Sequence, residues 1–441
     1  MKHLIVATKF LRSFIAKHFS PAKIKFYCIL WLTVNVALVA ARFVAVRDGQ
    51  TVFGYPLARD YTAFYVAGKI ANEYSFTSAY DLELQSRIYH ELLPHEPPES
   101  ELPFVNPPFL LIPFSIIARL PYAWAFAFWL ALSVSLYIAG LLLMLRSSAA
   151  LPRESHPLIL LLAVSFAPFL VYSWGLGQLS SIGVFCLASA VYLERRNKLY
   201  LSGVMLALCL YKPTLLLFLT AMLVVTHRFR QLAGFVSGAA TLVAASVLLI
   251  GWRGFSSYVL LLRDFGRWKG TANTVSQTSL YIDIRTAFKL VTDAHPQALF
   301  VIDAVYIVGL VLLVWAWWRF GTSHLVWAVT ITFSLIFNFY TPLYDTAVLV
   351  IPAILFADYL YGVNKRPLPI AFKAFLASLY LFPFAYSFLR NIGGFQIYTF
   401  LIAAFGIYQL RLLAMSRVRG HRDSGISDMH PASGDSSCIQ K

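Results

Sequence analysis

Apolar residues in this chain gather in long runs, and polar residues are confined to the stretches between them. Several runs reach or exceed the ~20 residues that a helix needs to cross a bilayer. They predict spans at 26–46, 122–145, 156–173, 178–194, 199–211, 213–226, 232–251, 297–318, 323–340, 345–362, 368–388 and 394–414. The pattern is that of an all-α polytopic membrane protein with about twelve transmembrane helices. The first run is a retained span and not a signal peptide: it is too long for an h-region and lacks a clear small-residue cleavage site.

Charge orients the spans. The basic arm 1–25, Arg146/Arg153, Arg195/Arg196/Lys198, Arg228/Arg230, Arg319, Lys365/Arg366 and Arg411/Arg417/Arg419 should face the cytoplasm. The run Pro107 to Leu120 decides whether they all can. If it crossed, Arg195/Arg196/Lys198 and Arg228/Arg230 would fall outside. Read as a re-entrant or interfacial segment, it leaves every cluster inside and both termini cytoplasmic. Non-helical backbone at membrane depth lines a cavity or is buried in protein. The transmembrane domain then runs over 26–419, and 420–441 is a polar cytoplasmic tail expected to be disordered. No internal repeat is visible.

Two outer loops are large. Residues 47–104 hold nine acids and four Lys/Arg, with helical stretches at Tyr61 to Tyr74 and Asp81 to Leu93; with the re-entrant segment this loop extends over 47–121. The second loop, 252–296, holds six Lys/Arg and three acids. Within the membrane, the short spans 199–211 and 213–226 share the interruption Tyr211-Lys212-Pro213, which places Lys212 at the outer apex of two short helices.

Composition narrows the function classes. Apolar residues are 59% of 441 and charged residues 13%, which excludes a soluble domain. The net charge of +16 sits in loops beside anionic lipid, so nucleic acid is not an expected partner and membrane lipids are. Cys28, Cys186 and Cys209 lie in apolar runs and read as small core residues, with Cys438 on the tail. His90 and His95 lack ligand spacing, and no acidic cluster forms a metal site. Neither a metal nor another cofactor is expected.

On this topology the polar groups of the outer side converge: Arg59-Asp60-Tyr61, Tyr80-Asp81, Asn106, Gln178, Lys212, Gln277, Ser279, Arg285 and Tyr344-Asp345. A carboxylate at the outer face beside a cation can act as general base toward a hydroxyl while the cation holds an anionic leaving group. Plainer readings stand beside this one. Asp60 and Asp81 each precede a helical stretch and could cap it. Gln178 could satisfy a turn. Lys212 could snorkel to the interface. Asp345 could cap a helix or pair with Arg390. Arg253 and the run Arg263 to Lys269 read as a solvated interfacial face.

The order of these groups carries a resemblance. Arg59-Asp60-Tyr61 with Phe64-Tyr65 comes first, then Tyr80-Asp81, then Asn106-Pro107-Pro108-Phe109, then Gly177-Gln178. Gly203 and Tyr211-Lys212-Pro213 follow, then Gln277 with Ser279-Leu280, and last Pro342-Leu343-Tyr344-Asp345. From about residue 25 to 410 the chain resembles glycosyltransferase family 87, the polyprenyl-phosphate-mannose-dependent mannosyltransferases of GT-C architecture. The late motif commonly reads His-Asp in that family; here it is Tyr344-Asp345. The resemblance implies a mannose donor linked through one phosphate to a polyprenyl lipid. It implies a lipid-linked or envelope glycan as acceptor, outside the cytoplasmic membrane. Asp60 matches the catalytic aspartate of an inverting transfer. Lys212 and Arg285 are then candidates for the donor phosphate, and Arg59, Tyr61, Asn106, Gln178, Gln277, Tyr344 and Asp345 for substrate. Two other classes fit a polytopic chain: a polysaccharide polymerase or ligase, whose large loop usually comes later, and a lipid or glycan transporter, which usually carries repeats and midplane charges.

Overall fold

The computed structural model describes residues 20–44, 57–95, 101–271, 281–288, 292–293, 295–338, 340–363, 370–389 and 396–427. Among these residues the chain is helical and forms no strand; an isolated antiparallel bridge joins Tyr281 to Pro342. The protein is a multi-pass membrane protein. Among the described residues six helices are long and apolar enough to cross a bilayer, and the bent pair Arg153–Val164 and Pro168–Trp174 would add a seventh.

The helices are α1 (Pro21–Val44), α2 (Arg59–Glu73), α3 (Leu82–Leu92), α4 (Leu111–Ile117), α5 (Tyr122–Ser147) and α6 (His156–Val164). They continue with α7 (Ser180–Arg195), α8 (Leu199–Ala207), α9 (Leu217–Val225), α10 (Phe229–Thr271), α11 (Ile284–Ala287) and α12 (Leu299–Phe320). The last four are α13 (His324–Ile336), α14 (Val350–Val363), α15 (Ile370–Leu389) and α16 (Ile397–Ser427). A helix stands at every position where the sequence predicts a span. Several are short; for α13 burial explains this, since every residue from Leu325 to Ile336 is buried and the helix is surrounded by protein. The span Leu343–Gly362 is likewise central, with 78% of its apolar window buried, whereas Pro21–Phe43 is peripheral with 11%. Exposed apolar side chains such as Leu248, Phe300 and Trp318 therefore face lipid.

Two local features shape the bundle. Gly251 has φ 70° and ψ 165°, a conformation that a Cβ disfavours, and it breaks α10 where the sequence ends a span. α8 meets α10 through glycines: a Cβ on Gly203 would strike the backbone of Gln231, and one on Gly234 would strike that of Tyr200. Gly203 is thus a packing residue. The segment 108–117 is a 3₁₀ turn followed by α4. Its ten residues rise only about 15 Å as helix, half of what a crossing needs. α16 continues to Ser427, into the segment expected to be a disordered tail, because no proline interrupts it before Pro431; 428–441 lie outside the described residues.

Charged clusters mark the two ends of the same helices. At one end Asp358 accepts from Ala150 N and Leu151 N at 2.8 and 3.1 Å and lies 3.9 Å from Arg195. At the other end stand Gln178, just before α7, and Asp345, just before α14. Asp345 and Asp358 are about 20 Å apart along the helix.

Candidate active site

The segment between α1 and α5 folds onto the bundle as a helical cap. α2 and α4 pack against α5 through Tyr61, Phe64, Phe114, Phe126 and Trp129, which form an aromatic core. This core fixes the start of α2. The N-cap of α2 is Ala58, whose methyl group accepts nothing, so Asp60 stands inside the first turn and does not cap it from outside. A carboxylate there is favoured by the positive end of the helix dipole. Asp81, in contrast, is a cap: its Oδ1 accepts from Glu83 N and Leu84 N at 3.0 and 3.1 Å.

Asp60 is half-buried and receives a hydrogen bond from Gln178 Nε2 at 2.6 Å. Gln178 arrives on a loop of unusual construction. α6 is followed by a π-helical turn, Pro168–Trp174, and both Gly175 N and Gln178 N bond five residues back, to Leu170 O and Ser173 O. Three helices then hold the loop by its backbone. Arg42 of α1 donates to Gly175 O at 2.9 Å, Tyr61 N of α2 donates to Leu176 O at 3.1 Å, and Trp129 Nε1 of α5 donates to Gly177 O at 2.9 Å. Gly177 has φ 79°, and a Cβ on it would lie 2.6 Å from Tyr61 Cβ. Only glycine lets the loop approach α2 this closely.

The cationic half of the site is built around Lys212. Two 3₁₀ turns, Leu208–Tyr211 and Pro213–Leu216, flank it, and Pro213 forces the extended backbone of Lys212, φ −139° and ψ 82°. The ammonium pairs with Asp345 and lies 5.2 Å from the Tyr340 ring centroid and 5.4 Å from that of Tyr344. Asp345 is buried inside the turn Leu343–Leu349, whose N-cap is Pro342. Among the described residues its ionic partner is Lys212; Arg390, the other partner considered, lies outside the described residues.

Tyr281 closes the arrangement. Its ring lies 4.6 Å from that of Tyr340, and their hydroxyls are 3.3 Å apart. Ile282 N donates to Thr341 O at 2.8 Å and Thr399 Oγ1 donates to Ile282 O at 2.8 Å, which fixes the segment against α16. Burial pushes the Tyr281 phenol up, the hydrogen bond with Tyr340 opposes this, and the charges of Asp283 and then Asp60 add to the rise. Asp283 is itself pushed up by burial, against hydrogen bonds from Thr286. The turn Pro168–Trp174, which leads to Gln178, packs against the turn Leu343–Leu349, which carries Asp345, so Asp60 and Lys212 belong to one polar region.

A family model described as glycosyltransferase family 87 matches residues 104–339, more than half of the chain. The chain belongs to glycosyltransferase family 87. No curated protein and no solved structure matches it. This family 87 enzyme transfers a sugar, and the matched segment carries Asn106, Gln178, Lys212, Gln277 and Arg285. Asp60, Tyr344 and Asp345 fall outside the match and are tied to it by geometry, Asp60 through Gln178 and Asp345 through Lys212.

The other candidate residues take different places. Tyr61 is fully buried in the aromatic core, and burial first, then Tyr122 and Tyr65, pushes its phenol well above the ordinary range. Asn106 receives the Tyr80 hydroxyl on its backbone carbonyl at 2.7 Å. Arg285 is half-exposed and lies 3.7 Å from Asp303. Arg59 opens α2, but its side chain is outside the described set, and so is all of Gln277. Among the described residues no three His, Cys, Asp or Glu side chains converge as a cation site. Sequence reasoning missed Arg42, Tyr281 and Tyr340. For Arg42 the signal was present: an ionisable residue inside an apolar run is a functional candidate by default.

Proposed function

We propose that this glycosyltransferase moves mannose from a polyprenyl-phosphate donor to a lipid-linked or envelope glycan, with inversion, on the extracytoplasmic side of the cell membrane. On the topology that keeps every basic cluster cytoplasmic, both termini are cytoplasmic. The Asp60 and Lys212 end of the bundle then faces out, in a GT-C type of arrangement. The observation that carries the proposal is the pairing of a supported carboxylate with a caged cation in one region: Asp60 held by Gln178, and Lys212 between Tyr340 and Tyr344.

The chemistry follows from these groups. The acceptor hydroxyl gives its proton to Asp60 as its oxygen attacks the anomeric carbon. The bond from that carbon to the phosphate oxygen breaks on the opposite face, and the lipid phosphate leaves with the electron pair. Lys212 stabilises the charge that develops there. A lipid phosphate lies at headgroup level, which suits a lysine at the end of α8 and α9. The short segment 108–117 forms a wall along which the polyprenyl chain passes. Lys212 is neutralised by Asp345, so the donor phosphate has to share Lys212 with that carboxylate.

The reconstituted protein, supplied with β-linked polyprenyl-phosphate-mannose and a crude envelope-lipid acceptor pool, is expected to yield an α-mannoside by NMR. A β-mannoside, or no transfer to any acceptor in the pool, would overturn the proposal.

A further inference from the structure

At the opposite end of the bundle from Asp60, α6, α14 and α15 enclose a cavity of about 840 Å³. Only residues 364–369 separate α14 from α15, yet both helices present side chains to this cavity. Its lining is almost entirely hydrocarbon and aromatic, so water inside would find few of the polar partners it needs. The volume is in the range of pockets that hold small organic ligands.

The cavity has an inner end and a basic end. At its inner end Tyr380 bridges α15 to α6: its hydroxyl bonds to Ser165 Oγ at 2.8 Å and Leu162 O at 3.1 Å, and its ring stacks on Phe166 at 5.5 Å. The other end carries Tyr361, 57% exposed, and Lys373, also exposed and without a carboxylate partner among the described residues. From Val350 to Tyr361 the helix rises about 16 Å, close to half of the ~30 Å hydrocarbon thickness. The groove is therefore one leaflet deep. Its mouth shares the face where Asp358 meets Arg195.

We propose that this groove holds one acyl chain of an anionic phospholipid from the leaflet on the basic face, with Lys373 at the lipid phosphate. Depth argues for an acyl chain over a polyprenyl chain, since the groove runs along only about half of the ~30 Å hydrocarbon thickness. Charge argues for an anionic headgroup, since Lys373 adds to a face already rich in Lys and Arg. The proposal is independent of which sugar or acceptor the active site uses.

Native mass spectrometry of the delipidated full chain reloaded from nanodiscs of phosphatidylglycerol, phosphatidylcholine, or phosphatidylcholine with polyprenyl phosphate tests this. The wild type is expected to retain one phosphatidylglycerol in preference to phosphatidylcholine. Lys373→Gln is expected to lower that preference about fivefold, the worth of one basic residue at an anionic surface. Ala357→Trp, which fills the groove, is expected to abolish retention. Lys373 is on the surface, so its variant keeps the test open if Ala357→Trp does not fold. Equal retention of the two phospholipids by the wild type, a preference unchanged in Lys373→Gln, or retention of polyprenyl phosphate in place of phosphatidylglycerol would overturn the proposal.

Discussion

Removing the ammonium of Lys212 would leave Asp345, 3% exposed, as a buried charge without its partner. Breaking such a pair costs about 3–5 kcal/mol, whereas replacing both members by apolar groups is often neutral. Lys212→Met is therefore expected to lower the thermal unfolding midpoint clearly. The double variant Lys212→Met/Asp345→Leu should recover most of that loss while still failing to bind donor. Thermal unfolding followed beside the donor KM checks this. Recovery of both stability and donor affinity in the double variant would remove Lys212 from the donor site. At this scale the sequence was partly legible. Asp81 was readable as a cap because a cap is a local, three-residue device. Asp60 was not distinguishable from one, because what separates the two is the position of Ala58 and a hydrogen bond from Gln178, 118 residues away.

The loop Gly175-Leu176-Gly177-Gln178 is the element on which the site depends. It is set by a π-helical turn on one side and by Arg42, Tyr61 and Trp129 on the other. Gly177→Ala meets both a left-handed backbone and the Tyr61 side chain, and strain of this kind costs about 1–3 kcal/mol. The expected outcome is a loop pushed off α2, a lost Gln178 to Asp60 contact and sugar transfer reduced at least tenfold, read by transfer assay alongside circular dichroism of the folded protein. Wild-type transfer in a folded Gly177→Ala protein would show that the loop does not position Asp60. Helix positions were readable from apolar runs, since each run either reaches bilayer length or is bounded by proline and charge. The π turn was not: it leaves no mark in composition. Nor were Tyr281 and Tyr340, aromatic residues that meet only because Ile282 bonds to Thr341 across 59 positions.

For the whole molecule, the two charged clusters at opposite ends of α7 and α14 fix a polarity, and the sidedness of that polarity is measurable. Glu101→Cys and Ser148→Cys, each in a background without Cys438, are expected to label with an impermeant thiol reagent from opposite sides of the membrane. The native Cys28, Cys186 and Cys209 are buried and should stay silent. Labelling from the same side would overturn the assignment of 107–120 as a segment that does not cross. The family match stops short of Asp60, so the catalytic claim stands on geometry joined to resemblance, and one measurement reaches it most directly. With saturating donor and acceptor, Asp60→Asn is expected to lower the rate of sugar transfer by about 10²–10⁴-fold with donor affinity unchanged, the usual worth of a positioned base. Transfer by Asp60→Asn at the wild-type rate would contradict the assignment of Asp60 as that base.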